Sequence, residues 1–494
     1  MTGPTRPEEG ARVEVPPIAT ELGERFRMAG HELYLVGGVV RDLVLGRTKE
    51  GAELDLATEA PPRETIKLLQ GWADSRKLVG VKYGTVGARK GDTVLEITTF
   101  REEVYPGDTR KPAVTFACDI RTDLSRRDFT INAMAVRLPE GEFLDPFGGV
   151  KALAARRLDT PLDPEVAFSD DPLRMLRAAR FVSQLDLTPA PRVVHAIERM
   201  RDRLRIVSAE RIADELSKLL LTPKPSKGLE LIVNTGLADE FLPELPALRL
   251  EQDPVHRHKD VFHHTLAVVE RCEQDLELRL AALLHDVGKP RTREVTPDGV
   301  QFHHHEVVGA RMAEERLRAL RFPNEVVVNV RKLVELHLRF HGYGEGWTDS
   351  AVRRYVRDAG PLLDKLNQLT RADVTTGNRF RAKQFQALQD DLEERIARLA
   401  EQENLEAMRP PLDGDEVMAH LGIEPGPIVG QALDELMEVR LDRGPIDKEE
   451  AYRLLDEWAA NKGVVGATPE RKASSGTPTT GRSKRNRSPD RDGR

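Results

Sequence analysis

Residues Leu33–Gly46 read LYLVGGVVRDLVLG, and Glu53-Leu54-Asp55 follows a few residues later. The pattern predicts a strand over Leu33–Val36, a tight turn at Gly37-Gly38 and a helix that opens with Arg41 and Asp42. Glycines without side chains let a triphosphate approach the backbone, and a helix N-terminus offers it unpaired N–H groups. Residues i and i+2 of a strand face one side, so Glu53 and Asp55 can share a hard cation such as Mg²⁺. Arg41, one turn into the helix, is in place to add charge against the phosphates. The alternative is a plain surface turn beside a solvated acidic strand end, because a double glycine alone is a weak signal.

A chain of 494 residues, 39% hydrophobic and 32% charged, is too long for one core, and three or four domains are expected. Two cysteines far apart, Cys118 and Cys272, fit a reduced compartment rather than a disulfide scaffold. The N-terminus lacks an apolar signal region and no apolar run reaches membrane-spanning length, so a cytoplasmic protein is expected. A formal net charge of −7 gives no argument for nonspecific nucleic-acid binding, so an RNA site must be a local basic surface. Texture divides the chain further. Residues 1–16 read as a disordered lead, 17–150 as alternating strands and helices, and 151–463 as mostly helical, while the Ser-, Thr-, Gly- and Arg-rich 464–494 reads as a disordered basic tail.

Three further segments extend the first motif. In LEITTFR, Glu96 on a neighbouring strand would complete a carboxylate cage and help deprotonate an attacking hydroxyl. A long polar connection follows, Tyr105 to Thr122 with Arg110-Lys111-Pro112, of a length usually kept for functional loops. In RRDFTINAMA, Asp128 suits the N-cap of an apolar helix, and Asn132 one turn on would face the same side.

GGVVRD, ELD, EITTFR, RRDFTINAMA, DPFGG and DDPLRMLRAARF, in this order, resemble the class II tRNA nucleotidyltransferase and poly(A) polymerase family, most nearly its actinobacterial CCA-adding type. The resemblance covers roughly residues 20 to 460. It implies an α+β, polymerase β-like nucleotidyltransferase head (17–150), an all-α neck that selects nucleotide and binds RNA (151–235), an HD-type helical body (236–380) and a helical tRNA-binding C-terminal region (381–463). Residue by residue, it carries triphosphate binding to Gly38 and Arg41, metal binding to Glu53 and Asp55, and nucleotide contact to Arg127. The family usually has Asp where this chain has Glu53. One added methylene shifts the geometry around octahedral Mg²⁺, so tolerance of Mn²⁺ or a slower rate is expected.

Arg174, Arg177 and Arg180 recur every three residues, hence along one side of a helix, and Asp171 opens that helix at its positive dipole end. Cytosine and adenine each present an exocyclic amino donor beside a ring-nitrogen acceptor. A carboxylate accepts from the first and a guanidinium donates to the second, whereas uracil and guanine reverse the pattern. A mismatched buried edge costs about 1–3 kcal/mol per group, enough to select CTP and ATP. Asp171 and Arg174 would form this reading edge, within the family's E-D-x-x-R motif, here Asp170 to Arg174. The retained Tyr105–Thr122 loop resembles full CCA-adding members, because CC-only members resemble loop-shortened versions. Ser208–Leu220 resembles the family's neck helix, a support.

A second constellation lies downstream: His264, His285-Asp286, His303 to His305, His337, His341 and Asp373. Imidazole and carboxylate from several helices suit a divalent transition metal. Eight of the chain's thirteen histidines fall between His263 and His341, more than isolated core histidines would explain. The set resembles the HD phosphohydrolase superfamily, whose four-residue pattern matches His264, His285, Asp286 and Asp373. His258 and the remaining imidazoles would support these or bind a second ion. The expected function is template-independent addition of C, C and A to the 3′ end of tRNA from CTP and ATP, using Mg²⁺ with release of pyrophosphate. A further HD phosphohydrolase activity on 2′,3′-cyclic phosphate or phosphate ends is a second expectation. Alternatives are a poly(A) polymerase, an HD phosphohydrolase whose head only senses nucleotides, or an RNA-binding protein with a dead head.

Overall fold

The computed structural model describes residues 7–47, 53–78, 81, 84–104, 113–116, 119–250, 261–296, 299–374, 379–403 and 409–464. The Arg110-Lys111-Pro112 segment, Cys118, His258 and the tail from 465 onward lie outside the described residues.

The all-buried LYLV segment forms β1 (Leu33–Val36), which lies inside a seven-stranded mixed sheet. Around it are β2 (Leu54–Thr58), β3 (Ser75–Lys77), β4 (Thr85–Lys90), β5 (Thr93–Thr99), β8 (Ala135–Leu138) and β9 (Glu142–Leu144). The order is β3-β4-β5-β2-β1-β8-β9, and β6 (Arg101–Val104) and β7 (Ala113–Phe116) pair separately. Only β2 and β5 run parallel within the large sheet, with Asp55 in register with Glu96. Strand alternation then decides the faces. Leu54, Leu56, Leu95 and Ile97 are buried in a core with Leu22 and Phe26 of the helix Pro17–Met28, so Asp55 and Glu96 face the other way.

Residues 10–13 correct the expectation of a disordered lead over 1–16. Gly10 N–H donates to Phe143 O at 2.8 Å, Val13 N–H to Gly141 O at 2.8 Å, and Arg12 bridges Glu142, so this stretch edges the β8–β9 hairpin.

The chain forms two compact units, Met1–Glu345 with Ala359–Asp391, and Gly346–Asp358 with Leu392–Arg494. The first holds the sheet, the helices through Asn324–Leu336, and Leu363–Asp373, while the helix Asp349–Ala359 falls almost wholly in the second. The second has its own core of Leu412, Val417, Leu436, Leu455 and Trp458, with helix starts fixed by an Asp413–Glu416 capping box and by Asp447. Among the described residues, no helix is long and apolar enough to cross a membrane.

Candidate functional site

β1 runs directly into Gly37, whose φ of 77° no bulky residue adopts cheaply, and the seven-residue helix Gly38–Val44 begins immediately after. A Cβ added at Gly37 would stand 3.1 Å from Arg127 Nη1 and 3.4 Å from Asp55 Oδ2. The turn thus brings bare backbone against a guanidinium and a carboxylate. Asp55 is half-buried, and Glu96 beside it on β5 is exposed. Glu53 is exposed too and stands one residue ahead of β2, so it joins Asp55 from the strand's mouth rather than from within the strand. Burial first, then the charges of Glu96 and Glu53, raise the Asp55 carboxyl above its usual range against the opposing pull of Arg127. Carboxylates that repel one another in an all-oxygen donor set fit a hard divalent cation.

Arg127 Nη2 donates to Asp123 Oδ2 at 3.2 Å, while its buried Nε has no hydrogen-bond partner among the described residues. Arg41 lies at this turn with its polar atoms engaged. Its buried guanidinium closes on Asp42, at 2.9 and 3.0 Å, and donates to Asn132 Oδ1 at 2.9 Å. With its charge matched by its neighbour, Arg41 braces the turn below Gly38, whose absent Cβ would be 3.6 Å from Arg41 Nη2.

The segment after Asp128 also differs from expectation. It is one 3₁₀ turn, Thr130–Asn132, whose N-cap is Phe129, rather than an apolar α-helix capped by Asp128. Asp128 Oδ1 still accepts from Phe129 N–H at 2.8 Å and from Asn132 Nδ2 at 3.0 Å, so the two side chains do share a side. Asp128 Oδ2 accepts two bonds from Arg177, at 3.0 and 2.6 Å. Burial would raise this carboxyl, but Arg177 and Asn132 overcome it and hold it down at about 2.

The arginine helix spans Leu173–Leu185, beginning two residues past Asp171. Arg177 and Arg180 both face buried Glu215 of the neck helix Ala209–Leu220, and Arg180 Nε bonds Glu215 Oε1. Phe181 lies under three guanidinium groups, those of Arg180 (4.2 Å), Arg41 and Arg177 (each 5.5 Å). Arg177 therefore ties this helix to Asp128 of the head, while Arg180 ties it to the neighbouring helix through Glu215. Asp171 Oδ1 accepts from Leu173 N–H at 3.2 Å and Oδ2 from Arg211 at 2.8 Å, while Arg174 donates to Arg126 O at 2.7 Å and Ala167 O at 3.3 Å. The sequence reading missed Asp123, Glu215 and Arg211. Glu215 alone left a signal, a carboxylate inside the apolar stripe of Ile212, Leu216 and Leu219.

The body brings its four expected ligands together, each from a different place on a helix. His264 lies on Val261–Arg271, His285 caps Leu276–Leu284 with Asp286 next, and Asp373 ends Leu363–Asp373. His264 Nε2 is 2.8 Å from Asp373 Oδ1 and 3.6 Å from Asp286 Oδ2; His285 Nε2 is 3.2 Å from Asp286 Oδ2 and 3.6 Å from Asp373 Oδ1. Gly288 makes this packing feasible, since a Cβ there would lie 2.2 Å from His305 O of the facing helix. Burial disfavours the His285 cation, yet Asp286 and Asp373 push its imidazole up to about 10. Nitrogen and oxygen donors at these separations fit a borderline divalent metal. Of the His303–His305 run, only His305 turns inward; His304, at φ 57°, stays outside.

The family described as the poly A polymerase head domain matches residues 33–159, a probable RNA- and SrmB-binding site of polymerase A matches 186–248, and the HD domain matches 261–402. The chain is 30% identical to a CCA-adding enzyme of Anoxybacillus flavithermus, over 89% of this chain and 96% of that one. It is 34% identical to an A-adding tRNA nucleotidyltransferase of Deinococcus radiodurans (86% and 95% covered) and 33% identical to a CC-adding one of Thermus thermophilus (89% and 96% covered). Its fold is similar to the crystal structure of the Bacillus stearothermophilus CCA-adding enzyme in complex with CTP, with a TM-score of 0.64, 26% identity, and 91% and 99% of the two chains covered.

Proposed function

The chain belongs to the class II tRNA nucleotidyltransferase and poly(A) polymerase family, and on that footing we propose that it extends the 3′ end of tRNA by C, C and A, drawing on CTP and ATP in the cytoplasm. One observation carries this reading. The Asp55–Glu96 carboxylate pair lies beside Gly37 and Arg127, and the Asp128–Arg177 pair joins that corner to the helix preceded by Asp171 and bearing Arg174.

In this scheme the 3′-oxygen of tRNA forms a bond to the α-phosphorus of the nucleotide, the bond from that phosphorus to the bridging oxygen breaks, and pyrophosphate leaves. Glu53, Asp55 and Glu96 would hold a divalent metal, Mg²⁺ by their all-oxygen chemistry. When bound, that metal lowers the pKa of the attacking hydroxyl and neutralises charge on the leaving oxygens. Glu96, the most open carboxylate of the pair, takes the hydroxyl proton. Arg127 Nη1, already facing the Gly37 turn, meets the triphosphate. Asp171 exchanges Arg211 for the exocyclic amine of C or A, and Arg174 turns from backbone carbonyls to the ring nitrogen. The tRNA stem is read along neck and body by shape and phosphate. The Tyr105–Thr122 connection, retained in the sequence, supports full CCA addition over the partial additions of two of the relatives.

The experiment is Asp171→Ala offered each of the four nucleoside triphosphates with a tRNA transcript that lacks its CCA end. Discrimination of C and A against U and G should fall about 10- to 100-fold, the worth of one or two matched polar groups. Unchanged preference would remove Asp171 from base selection.

The His264–His285–Asp286–Asp373 cluster favours a second, separate reading, a metal-dependent phosphohydrolase acting on phosphate or 2′,3′-cyclic phosphate ends. Opening of a 2′,3′-cyclic phosphate to a monoester, or release of inorganic phosphate from a monoester end, by the parent protein and its loss in His285→Ala checks it; equal product from both is the contrary result.

A further inference from the structure

The chain leaves the His264–His285–Asp286–Asp373 cluster at Asp286 and comes back beside it at His305, whose Nε2 is 3.4 Å from Asp286 Oδ1. Between these points one turn of helix, Lys289–Thr292, leads into an antiparallel ribbon of strands Arg293–Thr296 and Gly299–Phe302. Both feet of the ribbon are tied down at the cluster. Lys289 Nζ donates to Asp286 Oδ2 at 2.7 Å and stands 5.7 Å from the centroid of the Phe302 ring. On the returning strand, Phe302 O accepts from His305 Nδ1 at 2.9 Å.

Directly opposed residues of an antiparallel pair share a face, as do residues two apart on one strand. Arg293 is opposite Phe302 and Val295 is opposite Val300, so one face carries an arginine, a phenylalanine and two valines. Glu294 and Gln301 lie on the other face. The first face is not covered: Val295 is 68% exposed, Arg293 is exposed, and Val300 and Phe302 are only half-buried. A ribbon kept merely as a solvated connection would carry polar residues there, because an open apolar strand invites unwanted pairing.

We propose that this face seats the single-stranded end of an RNA whose terminal phosphate, free or 2′,3′-cyclic, lies at the cluster. The proposal rests on the phosphohydrolase reading of that cluster and gives it a substrate class, RNA strands rather than small phosphate esters. A phosphate at Asp286 puts its nucleoside next to Lys289 and the Phe302 ring. The Val295–Val300 pair is two residues farther along the ribbon, about 7 Å at the rise of a strand, where the next base would lie. Bases stack on such side chains with little regard to sequence, while cations beside them follow the backbone. Arg291 and Arg293, both exposed on the outgoing limb, supply that charge. A small ester at the cluster would leave the outer half of the face unused.

The test uses the full-length protein and two probes. The first is a hexanucleotide with a 3′-phosphate and 4-thiouridine at its penultimate position, cross-linked by light and mapped by peptide sequencing. Cross-links within residues 291–302 are expected. Cross-links confined to other segments would overturn the proposal and leave the face to a protein partner. The second probe is kinetic, the ratio of kcat/KM for a hexanucleotide ending in 2′,3′-cyclic phosphate to that for 2′,3′-cyclic cytidine monophosphate. The parent ratio should be about tenfold or more, the worth of one or two stacked bases. It should fall towards one in the doubly substituted Arg293→Glu, Val295→Ser protein, whose changes lie on open surface. A parent ratio near one, or a ratio that the two substitutions leave unmoved, would overturn the proposal. No product from either substrate, with cross-links still on the ribbon, would overturn the phosphohydrolase reading and leave the ribbon as an RNA-seating surface.

Discussion

The head and the body each gather charge around an aspartate, and they do it in opposite ways. In the head, Asp55 is half-open beside the exposed Glu53 and Glu96, and burial with those like charges raises its carboxyl. In the body, burial would also raise Asp286, yet His285 and Lys289 hold it well below the usual carboxylate range. In the head, desolvation and like charge together outweigh the pull of Arg127; in the body, the neighbouring cations outweigh desolvation. The head is an unneutralised oxygen corner suited to a hard cation that arrives with a triphosphate. The body is already balanced by its own imidazoles and suits a resident borderline metal. One chain thus carries two clusters of candidate metal ligands that differ in donor type and in exposure.

The contrast breaks most visibly under exchange of the central aspartates. Asp55→Ala should cut CTP incorporation by about 10³-fold, the several kcal/mol expected of a cation at the reacting phosphorus, with the body's metal content unchanged. A loss under tenfold would take Asp55 out of the cage. Conversely, His285→Ala should empty the body and leave incorporation within about threefold, as distant sites act independently. Coupled loss of both would mean the two sites are not separate.

The Asp128–Arg177 pair between head and neck gives the next largest effect. Its carboxyl is depressed to about 2 from an ordinary 3.8. The stability it contributes is present above the unfolded value and lost as pH falls through about 4 towards 2. A shift of nearly two units is worth about 2–3 kcal/mol. Chemical denaturation from pH 6 down to 2 should therefore show a decline that Asp128→Asn flattens; parallel curves would contradict the pairing. Smallest is Glu53→Asp. Shortening a ligand at the strand's mouth should change the ratio of Mg²⁺- to Mn²⁺-supported rates by a few-fold, towards Mg²⁺. Superimposed metal titrations would show that the extra methylene is without consequence.

Local chemistry made much of this legible in the sequence. Gly37, Asp55 and Glu96 were readable because a strand, a turn and period-two alternation are short-range rules. His264, His285, Asp286 and Asp373 were readable as a family pattern of ligand types. What stayed hidden depends on long-range pairing. The bond from Arg41 to Asn132, 91 residues away, leaves no mark on the helix that carries Arg41. Arg211 on Asp171 spans 40 residues and leaves no mark on its own helix beyond a surface arginine. The Asp128 segment misled for a local reason, since one 3₁₀ turn and an α-helix begin alike.

Complete CCA synthesis at the head is checked by the length and order of addition. The unaltered protein is given a tRNA transcript ending at the base before the CCA end, with CTP alone, ATP alone, and both together. Growth by two nucleotides is expected with CTP, by three with both, and little with ATP alone. Stopping at two with both nucleotides, addition of a single A only, or a long A tract would contradict it.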